Sequence, residues 1–141
     1  MRRIVSKIET NSEQFAANFE HNVNETLALR ERQQWAIDGG PGRERSIERH
    51  QSRGKILVRD RIDMVIDEGT AFMELSTLAA YGQYDDEVPG AGIVTGIGVV
   101  HGVPWMFIAN DATVKGGSLV PMAIKQHVRA QDIALENDLG V

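Results

Sequence analysis

The stretch that most limits this chain is an apolar run, Val103 to Ala109, followed by Asn110-Asp111-Ala112-Thr113-Val114-Lys115-Gly116-Gly117-Ser118-Leu119-Val120-Pro121. Helical spacing begins directly behind it, through Val120, Ile124, His127, Val128, Gln131, Ala134, Leu135 and Leu139. A buried-strand run, then turn residues, then a period near 3.6 describes a strand–loop–helix unit. Ser118, with Pro121 three residues on, reads as the helix N-terminus, and the helix is expected from Ser118 to about Asp138. Gly116 and Gly117 have no Cβ, so the backbone can take φ > 0 and a ligand can come close. Bare N–H groups at a helix start favour an anion or a developing negative charge, and Lys115 adds a cation beside them. Two readings stand here: a site for an anionic or polarised-carbonyl ligand, or a plain tight turn with a glycine hinge. The glycine, Lys and Ser spacing is not that of a P-loop.

Upstream, Gly92 to Ala109 reads as a hairpin turning at His101-Gly102. Pro104 fits near the start of the returning strand. Gly96 and Gly98 leave room for a bulge or for another backbone. His101 reads as a solvated turn residue rather than a base, and His127 as a structural histidine rather than a ligand. A helix after a strand normally returns to the sheet, and Val141 is where that return would begin, so the chain reads as cut in mid-fold.

Toward the N-terminus, residues 12 to 37 read as a polar helix with a narrow stripe of Phe15, Phe19, Val23 and Leu27, capped by Ser12. It reads equally as an arm docking on a larger assembly or as a loose surface helix. Asp38-Gly39-Gly40-Pro41-Gly42 breaks the chain. Basic residues cluster from Arg43 to Arg61, either as a solvated face with internal ion pairs or as a phosphate-recognition segment. Val58 to Asp67 reads as a short helix ended by Gly69, residues 71–75 as a short strand, and residues 76–91 as a loop. Asp85-Asp86-Glu87 reads as a solvated loop tip, because three consecutive acids cannot all face one ion.

Composition narrows the function. With 141 residues and 42% hydrophobic content, the chain is one domain or part of one. The net charge of -5 argues against a nucleic-acid partner. The absence of cysteine removes disulfides, thiolate nucleophiles and Cys-based zinc sites. No apolar run reaches membrane-spanning length. Met1 to Ser6 lacks the apolar core of a secretory signal, and Glu9, Glu13 and Glu20 come too early for a transit peptide. A cytoplasmic protein, or a mitochondrial matrix one in a eukaryote, is the expectation.

Four segments then resemble one family. They are Arg53-Gly54-Lys55-Ile56-Leu57-Val58-Arg59-Asp60-Arg61-Ile62-Asp63, Asp67 to Ser76, Pro89 to Gly98, and Ala109-Asn110-Asp111-Ala112-Thr113-Val114-Lys115-Gly116-Gly117. Together they resemble the carboxyltransferase (β) subunit of biotin-dependent acyl-CoA carboxylases, nearest the methylcrotonoyl-CoA branch, over roughly residues 10 to 141. The resemblance implies an α/β, crotonase-like fold of β-β-α units, present in part, with residues 1–42 as an N-terminal helical arm. Residues 43–141 would be the first part of the N-terminal carboxyltransferase domain. It implies carboxyl transfer from carboxybiotin, carried on a partner subunit, to the γ-carbon of an enoyl-CoA, with backbone N–H donors stabilising the thioester enolate.

Biotin carboxylase and biotin carrier partners, a homo-oligomer of β subunits, and no metal, nucleic acid or membrane are implied with it. Carried over residue by residue, Lys115, Gly116 and Gly117 match the loop near the pantetheine arm and thioester, and Arg53, Lys55 and Arg59 match the basic segment that meets CoA phosphates. Gly92 and Thr95 read as packing. The family's Asp-Ser-Gly-Gly-Ala oxyanion segment lies beyond Val141, so no catalytic residue is expected here and the chain alone is expected to be inactive. Ser118-Leu119-Val120 departs from the branch's usual Thr and aromatics, which opens geranoyl-CoA or another branched enoyl-CoA as substrate; a carboxylase for propionyl-CoA or acetyl-CoA is a further alternative. A non-catalytic assembly module, or a crotonase-like hydrolase or isomerase, are the competing readings; the latter lacks a paired carboxylate here.

Overall fold

The computed structural model describes residues 5–40, 42–86 and 88–141. The first four residues, Pro41 of the glycine break and Glu87 of the acidic triplet lie outside the described residues. Two compact units divide between Arg32 and Gln33.

In the first unit, helix α1 (Glu13–Asp38) starts where Ser12 caps it, the Phe15 N–H donating to Ser12 Oγ at 3.2 Å. Phe15 and Phe19 stack one turn apart with centroids 6.4 Å from each other, while Phe19 and Leu27 stay largely exposed. The last turns of α1 belong to the second unit, because Ala36 is buried and Trp35 meets Tyr81 edge-on at 5.7 Å. The helix ends as expected at the glycines: Gly39 has φ +91, and its N–H donates to the Trp35 carbonyl at 3.1 Å.

The second unit is a three-stranded antiparallel sheet in the order β1-β2-β3, with β1 Met73–Leu75, β2 Ile93–Val100 and β3 Val103–Asn110. Val100 pairs with Val103 across the expected turn, where His101 and Gly102 both take positive φ. His101 is exposed. The Asp67 carboxylate clamps this turn, accepting the His101 and Gly102 N–H groups at 2.8 and 2.7 Å. These two bonds, chiefly that from Gly102, hold the Asp67 pKa below its ordinary value of 3.8.

Being central, β2 is covered on both faces. Val94 packs with Val58 and Ile62 of helix α3 (Val58–Asp63) and with Phe72 and Phe107. Ile93 packs with Ala80, Ala91 and Ala123, and Ile97 joins Met106, Ala130 and Ala134. The latter alanines come from helix α4 (Pro121–Glu136), so helices lie on both sides of the sheet. Close approach explains Gly96: a Cβ there would stand 2.4 Å from the Phe72 ring and 2.7 Å from the Met73 carbonyl. Thr95 is buried and hydrogen-bonded to Gln126 and the Leu75 carbonyl, in line with a packing role.

Two expectations are corrected here. Helix α3 stops at Asp63, because Met64–Ile66 tighten into turns before Gly69 is reached. Helix α4 turns a partly different face inward: Ala134 of the expected set is buried, joined by Ala123, Gln126 and Ala130, whereas Ile124, Val128 and Leu135 are 54%, 51% and 82% exposed. Small side chains let the helix backbone lie close to the sheet, and the alanine set follows the same period as the larger apolar set. After α4 the chain does return to the sheet. Gly140 forms a parallel bridge with Trp105 on β3, the Met106 N–H donating to the Gly140 carbonyl at 2.8 Å.

Candidate functional site

The loop after β3 is built by its own side chains. Asp111 Oδ1 accepts the Thr113 N–H at 2.9 Å and the Thr113 hydroxyl at 2.6 Å, a local turn that Asx–x–Thr sequences favour. Asn110 Nδ2 donates to the Gly117 carbonyl at 2.9 Å and so closes the loop end to end. Lys115, Gly116 and Gly117 all take positive φ.

This geometry corrects the helix-start reading. The glycine pair lies in a separate 3-10 turn, Lys115–Gly117, and α4 begins only at Pro121, which has no N–H to offer. Val120, not Ser118, is the N-cap residue, and no side chain caps it. The Gly117 N–H donates to the Val114 carbonyl at 2.8 Å, and the Ser118 N–H to the Lys115 carbonyl at 3.3 Å. Those amides therefore close the turn instead of facing a ligand.

What the loop does present is one wall of a crevice of about 290 Å3, formed by Ala112, Thr113 and Gly116. The facing wall comes from helix α2 (Glu44–Gln51) and the turn behind it, through Arg49, His50, Arg53 and Lys55. Gly54, with φ +72, lets the chain reverse between Arg53 and Lys55, and both the Arg53 and Lys55 N–H groups donate to the His50 carbonyl at 3.3 Å. The turn thus brings two cations to the same side. No carboxylate lines the crevice among the described residues, so it is a positive site on a negatively charged chain.

The six residues expected to bind ligand therefore separate. Arg53, Lys55 and Gly116 line one crevice. Lys115 is exposed beside Gly116, outside the lining, and Gly117 shapes the turn. Arg59 stands apart: its guanidinium donates to both Glu74 oxygens, at 2.6 and 3.3 Å, with both side chains largely buried. That bidentate pair joins α3 to β1 and places Arg59 outside the lining of the crevice.

Two features stand beyond the six residues carried over from the family: one lay within the basic cluster already read from the sequence, the other was passed over. Arg49 and His50, from the last turn of α2, join Arg53 and Lys55 of the following turn in the basic wall. The second is a buried ion pair between Arg43 and Asp111, whose side chains are 10% and 5% exposed. Arg43 also donates to Thr113 Oγ1 and to the Ile37 carbonyl, each at 3.1 Å. Its only hint in the sequence was an Asp in turn position after a buried strand.

Among the described residues no cluster of His, Cys, Asp and Glu could hold a metal ion, and no helix is long and apolar enough to cross a membrane.

Residues 49–141 match the family described as the carboxyl transferase domain. The chain is 57% identical over 98 residues to the biotin-dependent 3-methylcrotonyl-coenzyme A carboxylase beta1 subunit of Mycobacterium tuberculosis, covering 70% of this chain and 18% of that one. It is 46% identical over 133 residues to the mitochondrial methylcrotonoyl-CoA carboxylase beta chain of Dictyostelium discoideum, covering 94% and 22%. In structure it is similar to the beta subunit of P. aeruginosa geranyl-CoA carboxylase, with a TM-score of 0.83 and 34% identity over 96% of this chain and 25% of that one. The chain spans about a fifth of the length of the curated relatives it matches. Its β-β-α arrangement is the crotonase-like fold of these subunits, present in part. By the extent of that match and the fold that accompanies it, the chain belongs to the carboxyl transferase domain family.

Proposed function

We propose that residues 43–141 form the first part of a carboxyltransferase N-terminal domain, and that the crevice between α2 and the Asn110–Gly117 loop receives the phosphate-bearing end of an acyl-coenzyme A. The observation that carries this is the meeting of Arg49, Arg53 and Lys55 opposite Gly116. Guanidinium and ammonium groups suit phosphate oxygens, and a glycine without a Cβ leaves the facing wall open to a close-lying chain. Lys115, next to the crevice, lies where a pantetheine arm leaves it.

In the complete enzyme the acceptor is an enoyl-CoA such as 3-methylcrotonoyl-CoA, carboxylated at its γ-carbon. Biotin on a partner subunit supplies the carboxyl group. This chain's residues hold the nucleotide end of the acceptor, and Ser118, Leu119 and Val120 border the path of the acyl group and influence which acyl group is accepted. The β subunits assemble with one another and with a biotin carboxylase and carrier subunit, in the cytoplasm or, in a eukaryote, in the mitochondrial matrix.

Calorimetric titration of the chain with coenzyme A tests the crevice. Losing one exposed charge-assisted contact is worth about 1–2 kcal/mol, or roughly a tenfold change in affinity. Arg53→Gln and Lys55→Gln should each weaken binding by about that factor, and added salt should weaken it further. Equal affinity for coenzyme A and uncharged pantetheine would overturn the proposal.

A further inference from the structure

The two walls of the crevice come from segments distant in sequence, and one side chain joins them. Helix α2 buries no residue of its own. Besides the basic crevice it borders a second cavity of about 510 Å3, lined by Ile37, Ile47, Leu57 and Val58. An eight-residue helix that touches open space in two directions is not placed by core packing.

Its N-terminus is placed instead by Arg43, the N-cap residue, whose side chain makes no cap and reaches across to the loop. There it bonds to Asp111 and to Thr113, and Thr113 itself lines the crevice. Gly39 is part of the device, because a Cβ at that position would fall 1.8 Å from Arg43 Cδ. We infer that Arg43 is a positioning residue: its buried pairing with Asp111 and Thr113 sets the separation between α2 and the Asn110–Gly117 loop, and so holds Arg49, Arg53 and Lys55 opposite Gly116. The inference rests on the crevice being the coenzyme A site for its functional meaning, and on geometry alone for the separation.

The chain has no cysteine, so Ser46→Cys and Ala112→Cys, one on each wall, accept spin labels without background. Double electron–electron resonance should give one narrow separation in the doubly labelled chain. With Arg43→Met added, the distribution should broaden or shift by several ångströms, a readout that a uniform loss of stability does not move. Calorimetry without labels should show coenzyme A binding at least tenfold weaker in Arg43→Met. The further loss from Arg53→Gln should shrink in that background, because the two act on one site.

Circular dichroism reports whether Arg43→Met folds. If it does not, Arg43→Lys, which keeps the charge and loses the fork, replaces it with the same expectations. A separation as narrow in the folded variant as in the parent overturns the inference. A separation that broadens while the parent binds no coenzyme A leaves Arg43 as the spacer and removes the ligand reading instead.

Discussion

Asp67 shows how one carboxylate can govern a turn. Both central residues of the hairpin take positive φ, which costs most at the non-glycine His101. Asp67 offsets this by accepting both of their N–H groups. Its lowered pKa means the folded chain favours the ionised form. The stabilisation is therefore fully present above the ordinary carboxylate range and is lost as pH falls through the lowered folded value. Chemical denaturation of the parent and of Asp67→Asn from about pH 7 to about pH 2 should show a difference that is largest at neutral pH and vanishes in acid. A difference that persists at the acid end would mean the charge is not responsible. Arg59 offers a second test at this scale. Arg59→Gln should cost about 1 kcal/mol of stability through its lost pair with Glu74, and leave the coenzyme A affinity of the folded chain within about twofold, against the roughly tenfold loss for one charge-assisted contact. A tenfold loss of affinity would return Arg59 to the binding set.

Among the elements, β2 is the tightest fit. Gly96 faces the Phe72 ring and the Met73 carbonyl at distances no real Cβ keeps, and backbone cannot swing away as a side chain can. Gly96→Ala should cost about 1–3 kcal/mol by overpacking, read as a lower thermal midpoint. Gly102→Ala meets open space but keeps the same positive φ, so its smaller cost should come from strain alone. Equal midpoints for the parent and Gly96→Ala would contradict the observed strand spacing. The hairpin was legible because alternation and the His101-Gly102 turn are local signals, and its register follows from them. The inward face of α4 was not legible. Ile124 and Val128 and the alanine set share one period, and only the nearness of the sheet selects the alanines.

For the molecule as a whole, the sheet, the three buried clusters and the basic crevice all lie in the unit from Gln33 to Val141. Removing residues 1–32 should therefore leave a cooperative thermal transition and an unchanged coenzyme A affinity, as scanning calorimetry and titration would show. Loss of the transition would mean the first unit supplies stability to the second. Features that depend on neighbours a few positions apart could be read from the residues alone: the capped polar helix, the glycine break, the hairpin, and the strand–loop–helix order around Asn110–Gly117. The motif wording also carried the family. Which of those residues meet became visible only once the chain was folded. Arg43 and Asp111 are 68 positions apart, and Arg59 and Glu74 are 15 apart. No local period encodes such pairings, because each depends on how the sheet brings distant segments together. That is why Gly116 became part of one wall of a crevice and the glycine pair not the start of a helix.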